Sequence, residues 1–398
     1  MGENVDVGRN TWIHRLDFAI FASLILMAVC IPLTESGKSV TFVCALSFWI
    51  IKMGLEKNFH LHIPTIGWFF LGWLGVVALS SLFSDCGFFK GVPDVLMYTL
   101  CFFLIVNTMK GESRILALIW AVLLGIGLGD LYGFFDYFIL GTSSDRLSIG
   151  SLGFTAAYLA MIFSLLLGLW MNVQFTSKQH IYLGLIALMS GIALGYTHTR
   201  SMWLGVFFIS AVGAILYKKW VTIFAGGVLL ILLGGVVSLN PHIQDRIQKL
   251  SNPLTEESLV GRFGIWEASA RMFWDHPILG LGHKCFKPNS DKYRVPDNHG
   301  QGHNIFFHVA AELGSIGLAG LLTWLGAYIH FLYRMRKTLR SNLAKALWFA
   351  ALGCFLTILI GGLIDSILGS EVSLFFMIIS GLLIVIQREN QKVHVFQS

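Results

Sequence analysis

The chain has 398 residues, 55% of them hydrophobic and only 13% charged, with a mean hydropathy of +0.71. That balance excludes the soluble globular classes, and the long continuous apolar runs exclude an outer-membrane barrel, whose strands alternate. The net charge of +6 calls for no nucleic acid, because much of it falls where basic loops meet anionic lipid.

The expected fold is therefore all-α, a polytopic membrane protein. A bilayer core takes roughly 20 apolar residues per spanning helix. About twelve runs qualify: 16–34, 37–54, 64–83, 93–108, 114–140, 152–173, 181–197, 201–217, 220–238, 304–333, 344–364 and 371–387. The first fifteen residues are polar and no small-residue cleavage site follows the first run, so that helix is expected to stay as an anchor. Three blocks result: nine spans in 1–238, one long polar loop in 239–302, and three spans with a short polar tail in 303–398.

Basic residues orient this arrangement. With a cytoplasmic N-terminus, 16 of the 28 lysines and arginines fall in cytoplasmic connections, and only Lys38, Lys90, Arg146 and Arg200 fall in short outer ones. The other eight lie in the long loop, which is exempt from the positive-inside rule. Both termini are expected in the cytoplasm and the long loop outside.

The long loop has its own pattern. Over 256–275, Leu259, Phe263, Trp266, Ala270, Phe273 and Trp274 recur at helical spacing, opposite Glu256, Arg262, Glu267 and Arg271. This predicts an amphipathic helix whose aromatic face docks on the membrane domain or lies at the lipid interface. His276-Pro277 ends it, and Gly280 and Gly282 mark a tight turn. The polar stretch 284–300 reads as a mobile lid. Of six cysteines, Cys30, Cys44, Cys101 and Cys354 read as small core residues. Cys86 and Cys285 both fall outside; free thiols are the favoured reading and a disulfide the alternative.

Residues able to do chemistry gather at the outer face. Arg200 stands in a link of a few residues, against the positive-inside trend. It either snorkels to lipid phosphate or clamps a phosphate with its two-pronged guanidinium. Arg262, at the start of the amphipathic helix, gains from the positive helix terminus, whereas Arg271 reads first as a solvated-face residue. His303 closes the polar loop where an apolar run begins; an ionisable group at such a boundary marks a site, and histidine suits proton transfer near neutral pH. Asn304 would orient it or hold a hydroxyl. His299 and His308 flank it, but without metal-ligand spacing no metal is expected. Glu312 lies in the same run as a partner for a base or a polar group. Asp130, Asp136 and Asp365 suit sugar hydroxyls or a structural pairing with Arg200. No phosphate-binding glycine loop appears, so use of a nucleotide in a familiar pocket is not expected.

Together these features resemble the O-antigen ligase and O-antigen polymerase superfamily. Arg200-Ser201-Met202-Trp203-Leu204 fits one ligase pattern. His303-Asn304, nine residues, Gly314, two residues, Gly317 fits the second. Gly261-Arg262 through Trp266 to Pro277-Ile278-Leu279-Gly280-Leu281-Gly282 is similar to the superfamily's loop segment. The resemblance implies a glycosyltransferase of GT-C type in the bacterial inner membrane, with its site facing the periplasm. The donor would be an O-antigen polysaccharide on undecaprenyl diphosphate, the acceptor a lipid A–core sugar and the product lipopolysaccharide, with no cofactor, metal or ATP. Under it His303 is the catalytic base, and Arg200 and Arg262 bind the diphosphate. Asn304, Arg271, His299, Asp365 and Asp130 are candidates for substrate contact. A polymerase or a protein O-oligosaccharyltransferase shares that chemistry. A flippase for the same lipid is the reading of another class, but polar residues confined to one face favour an enzyme over a transporter with a midplane site. An intramembrane protease lacks its residues.

Overall fold

The computed structural model describes residues 2–84, 86–87, 90–140, 152–197, 199–218, 220, 227, 257–296 and 299–395. Among these are twelve α-helices and no strand. They are α1 (Gly2–Cys30), α2 (Glu35–Glu56), α3 (Thr65–Leu82), α4 (Val92–Thr108), α5 (Glu112–Phe138), α6 (Leu152–Asn172), α7 (Ser177–Tyr196), α8 (Arg200–Tyr217), α9 (Glu257–Asp275), α10 (Ile305–Arg336), α11 (Asn342–Gly362) and α12 (Ser370–Val395). Ten are long and apolar enough to cross a membrane, and α4 is a shorter apolar helix. The protein is thus an all-helical polytopic membrane protein. The expected run 220–238 lies outside the described residues.

Helix ends follow the local chemistry. Thr176 and Gln179 form a reciprocal capping box that opens α7, and Ser341 caps α11. α5 begins after Gly111, whose φ of +78° suits a residue without Cβ. In lipid every backbone group must bond internally, so these apolar sequences have no alternative to helix.

Close approach, rather than a hydrophobic drive, holds such helices together. α6 and α11 show it. A Cβ at Gly168 would stand 2.6 Å from the carbonyl oxygen of Ala346, and one at Gly353 would strike the Ser164 side chain. The Ser164 hydroxyl donates to the carbonyls of Met161 and, across the helices, Ala350. The buried lysines among the described residues are paired. Lys38 of α2, 1% exposed, lies between Glu35 and Glu371, and Lys52 pairs with Asp17 and Glu56. Among the cysteines, Cys101 and Cys354 are buried as expected, but Cys44 is exposed on α2.

Two contacts gather one end of the bundle. A Cβ at Gly361, near the end of α11, would collide with Met202 in the first turn of α8, and one at Gly362 would lie 2.9 Å from Ile305 at the start of α10. The start of α8, the start of α10 and the link after α11 are thereby neighbours. Arg200, His303 and Asp365 stand on those three pieces of chain.

Candidate active site

The segment after α9 is fastened to α10 by an exchange of backbone bonds. Gly314 has φ +64° and ψ −158°, so α10 is broken there. The carbonyls of Ala311 and Glu312 would ordinarily accept from the N–H groups of Ser315 and Ile316. Instead they accept from Leu281 (3.0 Å) and Gly282 (2.7 Å), while Ser315 and Ile316 donate to Pro277 (2.8 Å) and Ile278 (3.3 Å). Every freed group finds a partner, as buried backbone must. Only glycine fits this seam. A Cβ at Gly314 would strike the carbonyl of Ile278, one at Gly280 (φ +68°) the Glu312 carbonyl, and one at Gly317 the Leu313 side chain. The two glycine-bearing motifs of the sequence are the two halves of one joint.

Glu312 completes the joint. It is 3% exposed. Its Oε1 accepts from Phe286 N (3.0 Å), and its Oε2 from Lys284 N (2.9 Å) and the His283 ring (3.1 Å), with His308 Nε2 at 3.6 Å. Lys284 also pairs with Asp94 of α4. Cys86 and Cys285 are joined in a disulfide, their Cα atoms 5.8 Å apart. This corrects the expectation of free thiols, since proximity across 199 residues has no sequence signature. The described part of 284–300 is likewise no loose lid. Arg271 donates to the Tyr293 carbonyl (2.9 Å) and Glu267 (2.7 Å). The Tyr293 hydroxyl donates to Asp275 (2.8 Å), and burial together with that carboxylate pushes the phenol up to about 12.

α9 lies where the pattern placed it, but its buried face is different. Ile265, Ala268, Ser269 and Met272 pack inward, with Leu281, Phe286, Tyr293 and Ala311 in the same cluster. Phe263 and Trp274 are 63% and 74% exposed, and Leu259 lies among residues whose side chains are outside the description. Ala268 and Ser269 allow close docking, and the aromatic edge stays outside that contact. Trp266 bridges the two environments. Its indole N–H donates to the His303 carbonyl (3.4 Å) and its ring stacks on Phe307 at 5.6 Å.

His303 has φ +44°, an uncommon conformation for a residue with a Cβ, and Asn304 then returns to extended backbone at φ −167°. The reversal turns His303 out of the helix that follows. Asn304 holds the reversal. Its Oδ1 accepts from Phe306 N (2.9 Å) and Phe307 N (3.2 Å), and its Nδ2 donates to the Leu363 carbonyl (3.0 Å). It caps α10 and ties it to the end of α11, two residues before Asp365.

His303 Nδ1 stands 3.2 Å from Asp365 Oδ1, with the side chains 27% and 24% exposed. The carboxylate accepts, so a neutral ring keeps its proton on Nδ1 and leaves the Nε2 lone pair free. Burial alone would raise the Asp365 carboxyl. The His303 hydrogen bond and charge, the Ser366 N–H (2.8 Å) and the Arg262 guanidinium outweigh it and hold the group below its ordinary value. Arg262 therefore acts electrostatically on Asp365. It sits at least a turn inside α9, which has begun by Glu257, so the expected help from the helix terminus is reduced. Arg200 is exposed at the first position of α8, with no hydrogen bond or ion pair among the described residues. The His299 ring lies 5.0 Å from that of His303. Asp130 is remote in character. Fully buried in α5, it accepts from Ser190 of α7 at 2.7 Å. No group of three His, Cys, Asp or Glu among the described residues is arranged to hold a metal. The pairing of Asp365 with His303 escaped the sequence, and Glu312, read as a partner for a base or a polar group, was not read as the clamp on 283–286. Both are contacts between elements, and the only hint was a carboxylate at an apolar boundary.

The fold defines an integral membrane protein of many helices, with a histidine–aspartate pair and two arginines at one end of the bundle. Residues 184–322 match the family described as O-antigen ligase. The O-antigen ligase of Salmonella typhimurium is 28% identical over 204 residues, covering 47% of this chain and 47% of that protein. The chain thus matches about half the length of this curated relative. These matches bear out the resemblance to the O-antigen ligase and polymerase superfamily, and the matched stretch contains Arg200, Arg262, His303 and both glycine motifs.

Proposed function

We infer that this protein is an O-antigen ligase. It would transfer a polysaccharide from undecaprenyl diphosphate to a sugar of lipid A–core, at the periplasmic face of a bacterial inner membrane, with both termini in the cytoplasm. The observation that carries the reading is the His303–Asp365 pair under the charge of Arg262, at the loop–helix boundary where the ligase pattern begins.

Each residue has a step. Asp365 keeps the His303 proton on Nδ1 and aims Nε2 outward. His303 Nε2 takes the proton of the acceptor hydroxyl as its oxygen bonds to the anomeric carbon. The bond from that carbon to the diphosphate breaks, and its electron pair leaves with the diphosphate. Arg262 and Arg200 meet the charge that develops there, with two parallel hydrogen bonds available from each guanidinium. Attack opposite the leaving group inverts the anomeric centre. The departing diphosphate supplies the driving force, so neither metal nor nucleotide is required. α9 and the fastened segment after it exclude water that would otherwise compete.

The test is transfer in vitro, with chelator and without nucleotide, from undecaprenyl-diphosphate-linked glycan to rough lipopolysaccharide. Wild type is expected to ligate with inversion and His303→Ala to do neither. Retained configuration, or full activity in His303→Ala, would overturn the mechanism. Growth of polymer on the carrier without transfer would make the protein a polymerase. Lipid movement that survives His303→Ala, with no transfer, would make it a flippase.

A further inference from the structure

A second space opens beside the catalytic pair. It is a cavity of about 670 Å³, within the range of small-molecule sites. Gly300, Gln301 and Ile305, on either side of His303, line it, and so does Ser366, next to Asp365. Cavity and base therefore share one partition. From Ile305 the wall follows α10 down to Trp324, on the order of 25 Å of helix. The deep part is apolar and aromatic, with Phe70, Trp73, Trp324, Phe376 and Met377. Its other end is polar, with Gln301, Ser39, Ser366, Ser373 and Glu371. The Glu312 joint and the Cys86–Cys285 disulfide hold the chain that roofs it.

The charges at the polar end discriminate between ligands. Lys284 is bound to Asp94, and Lys38 lies between Glu35 and Glu371. Lys287 has no ion pair among the described residues, while His283 and His308, which also line the space, are held by Glu312. Neither Arg200 nor Arg262 lines this space. A diphosphate would meet the carboxylates Glu35, Asp94, Glu312 and Glu371 and no guanidinium fork here, a poor match. A saccharide would meet amide, hydroxyl and carboxylate groups suited to its hydroxyls, and a hydrocarbon chain would fill the aromatic depth.

We propose that this cavity seats the acceptor: a glycolipid whose hydroxyl-rich head lies against the His303 partition and whose apolar chain occupies the space between α3, α10 and α12. The donor diphosphate takes the other side of the partition, with the arginines. The assignment rests on the transferase reading above and adds to it which substrate enters from which side.

Photocrosslinking tests it without turnover. Full-length protein in lipid nanodiscs would carry Met377→benzoylphenylalanine, with Phe263→benzoylphenylalanine beside Arg262 as the comparison. Labelled rough lipopolysaccharide is expected to crosslink at position 377 at least about tenfold more than at 263. Unlabelled rough lipopolysaccharide, and not undecaprenyl-diphosphate-linked glycan, should compete. Capture of the carrier-linked glycan at 377, or of bulk phospholipid alone, overturns the assignment. In a second measurement on a different variant, Gln301→Ala should raise KM for rough lipopolysaccharide about fivefold, as loss of one hydrogen bond does. A rise in KM for the donor instead overturns it. The two readings fail separately. Capture of rough lipopolysaccharide by a chain that transfers nothing keeps the cavity and loses the ligase. Transfer by a chain whose cavity captures the donor does the reverse.

Discussion

Two histidine–carboxylate groups stand side by side at the head of α10, and their surroundings set them apart. Glu312 is 3% exposed and takes two backbone N–H groups and one histidine ring as donors. Asp365 is 24% exposed and takes one backbone N–H and the His303 ring. In the first group every lone pair that matters is occupied by the chain that Glu312 fastens. In the second, the ring nitrogen facing away from the carboxylate has no hydrogen-bond partner among the described residues. The same residue types thus make a rivet in one place and, in the proposed mechanism, a poised base in the other. The difference lies in what else reaches the carboxylate.

Substitutions can break this contrast, and the largest effect belongs to the base. His303→Ala should cut transfer roughly 10³-fold, as loss of a general base does, with unchanged membrane accumulation on an immunoblot. Glu312→Ala should act on folding instead. It leaves buried N–H donors unpaired and should cost about 3 kcal/mol, read as a lower thermal midpoint and protease cleavage within 283–296. If Glu312→Ala instead accumulated normally and only lost turnover, the contrast would collapse.

Asp365→Asn sharpens the comparison from the other side. The amide can donate to His303 and favour the wrong tautomer, so kcat should fall by roughly 10²-fold, the low end of a general base's contribution, with normal accumulation. Arg200→Ala should lose transfer and Arg200→Lys should recover little of it, because a point charge lacks the planar fork; recovery to wild-type rates would make Arg200 a lipid anchor. The smallest effect concerns pH. The folded Asp365 carboxyl lies below its ordinary value, so its pairing stabilises the protein fully above that value and is lost as pH falls through the depressed one. The thermal-midpoint difference between wild type and Asp365→Asn should hold from neutrality to about pH 4 and then vanish. A difference that shrinks already near pH 6 would mean the carboxyl is not depressed.

Most of the helical frame was legible in the sequence, and the reason is the bilayer. The run 93–108 emerges as Val92–Thr108, and 344–364 as Asn342–Gly362, since apolar length alone decides a span in lipid. The amphipathic segment was legible as a helix but not in its facing. Phe263 and Trp274 have the hydrophobicity, yet Ala268 and Ser269 have the small size that lets α9 dock close. Hydrophobic pattern reports which side avoids water, and both lipid and protein satisfy that.

The sequence by itself determined that this is a bundle of membrane helices, that an amphipathic helix carrying Arg262 precedes His276-Pro277, and that Arg200 and His303 stand where apolar runs begin. Hydropathy and residue chemistry are local properties, so a linear reading reaches them. Only the tertiary structure decided that Asp365 faces His303 across 62 residues of chain, that Glu312 and Gly314 rivet the loop, and that Cys86 meets Cys285. Those facts depend on which helices touch, through packing of small residues and exchange of backbone bonds that no single segment contains.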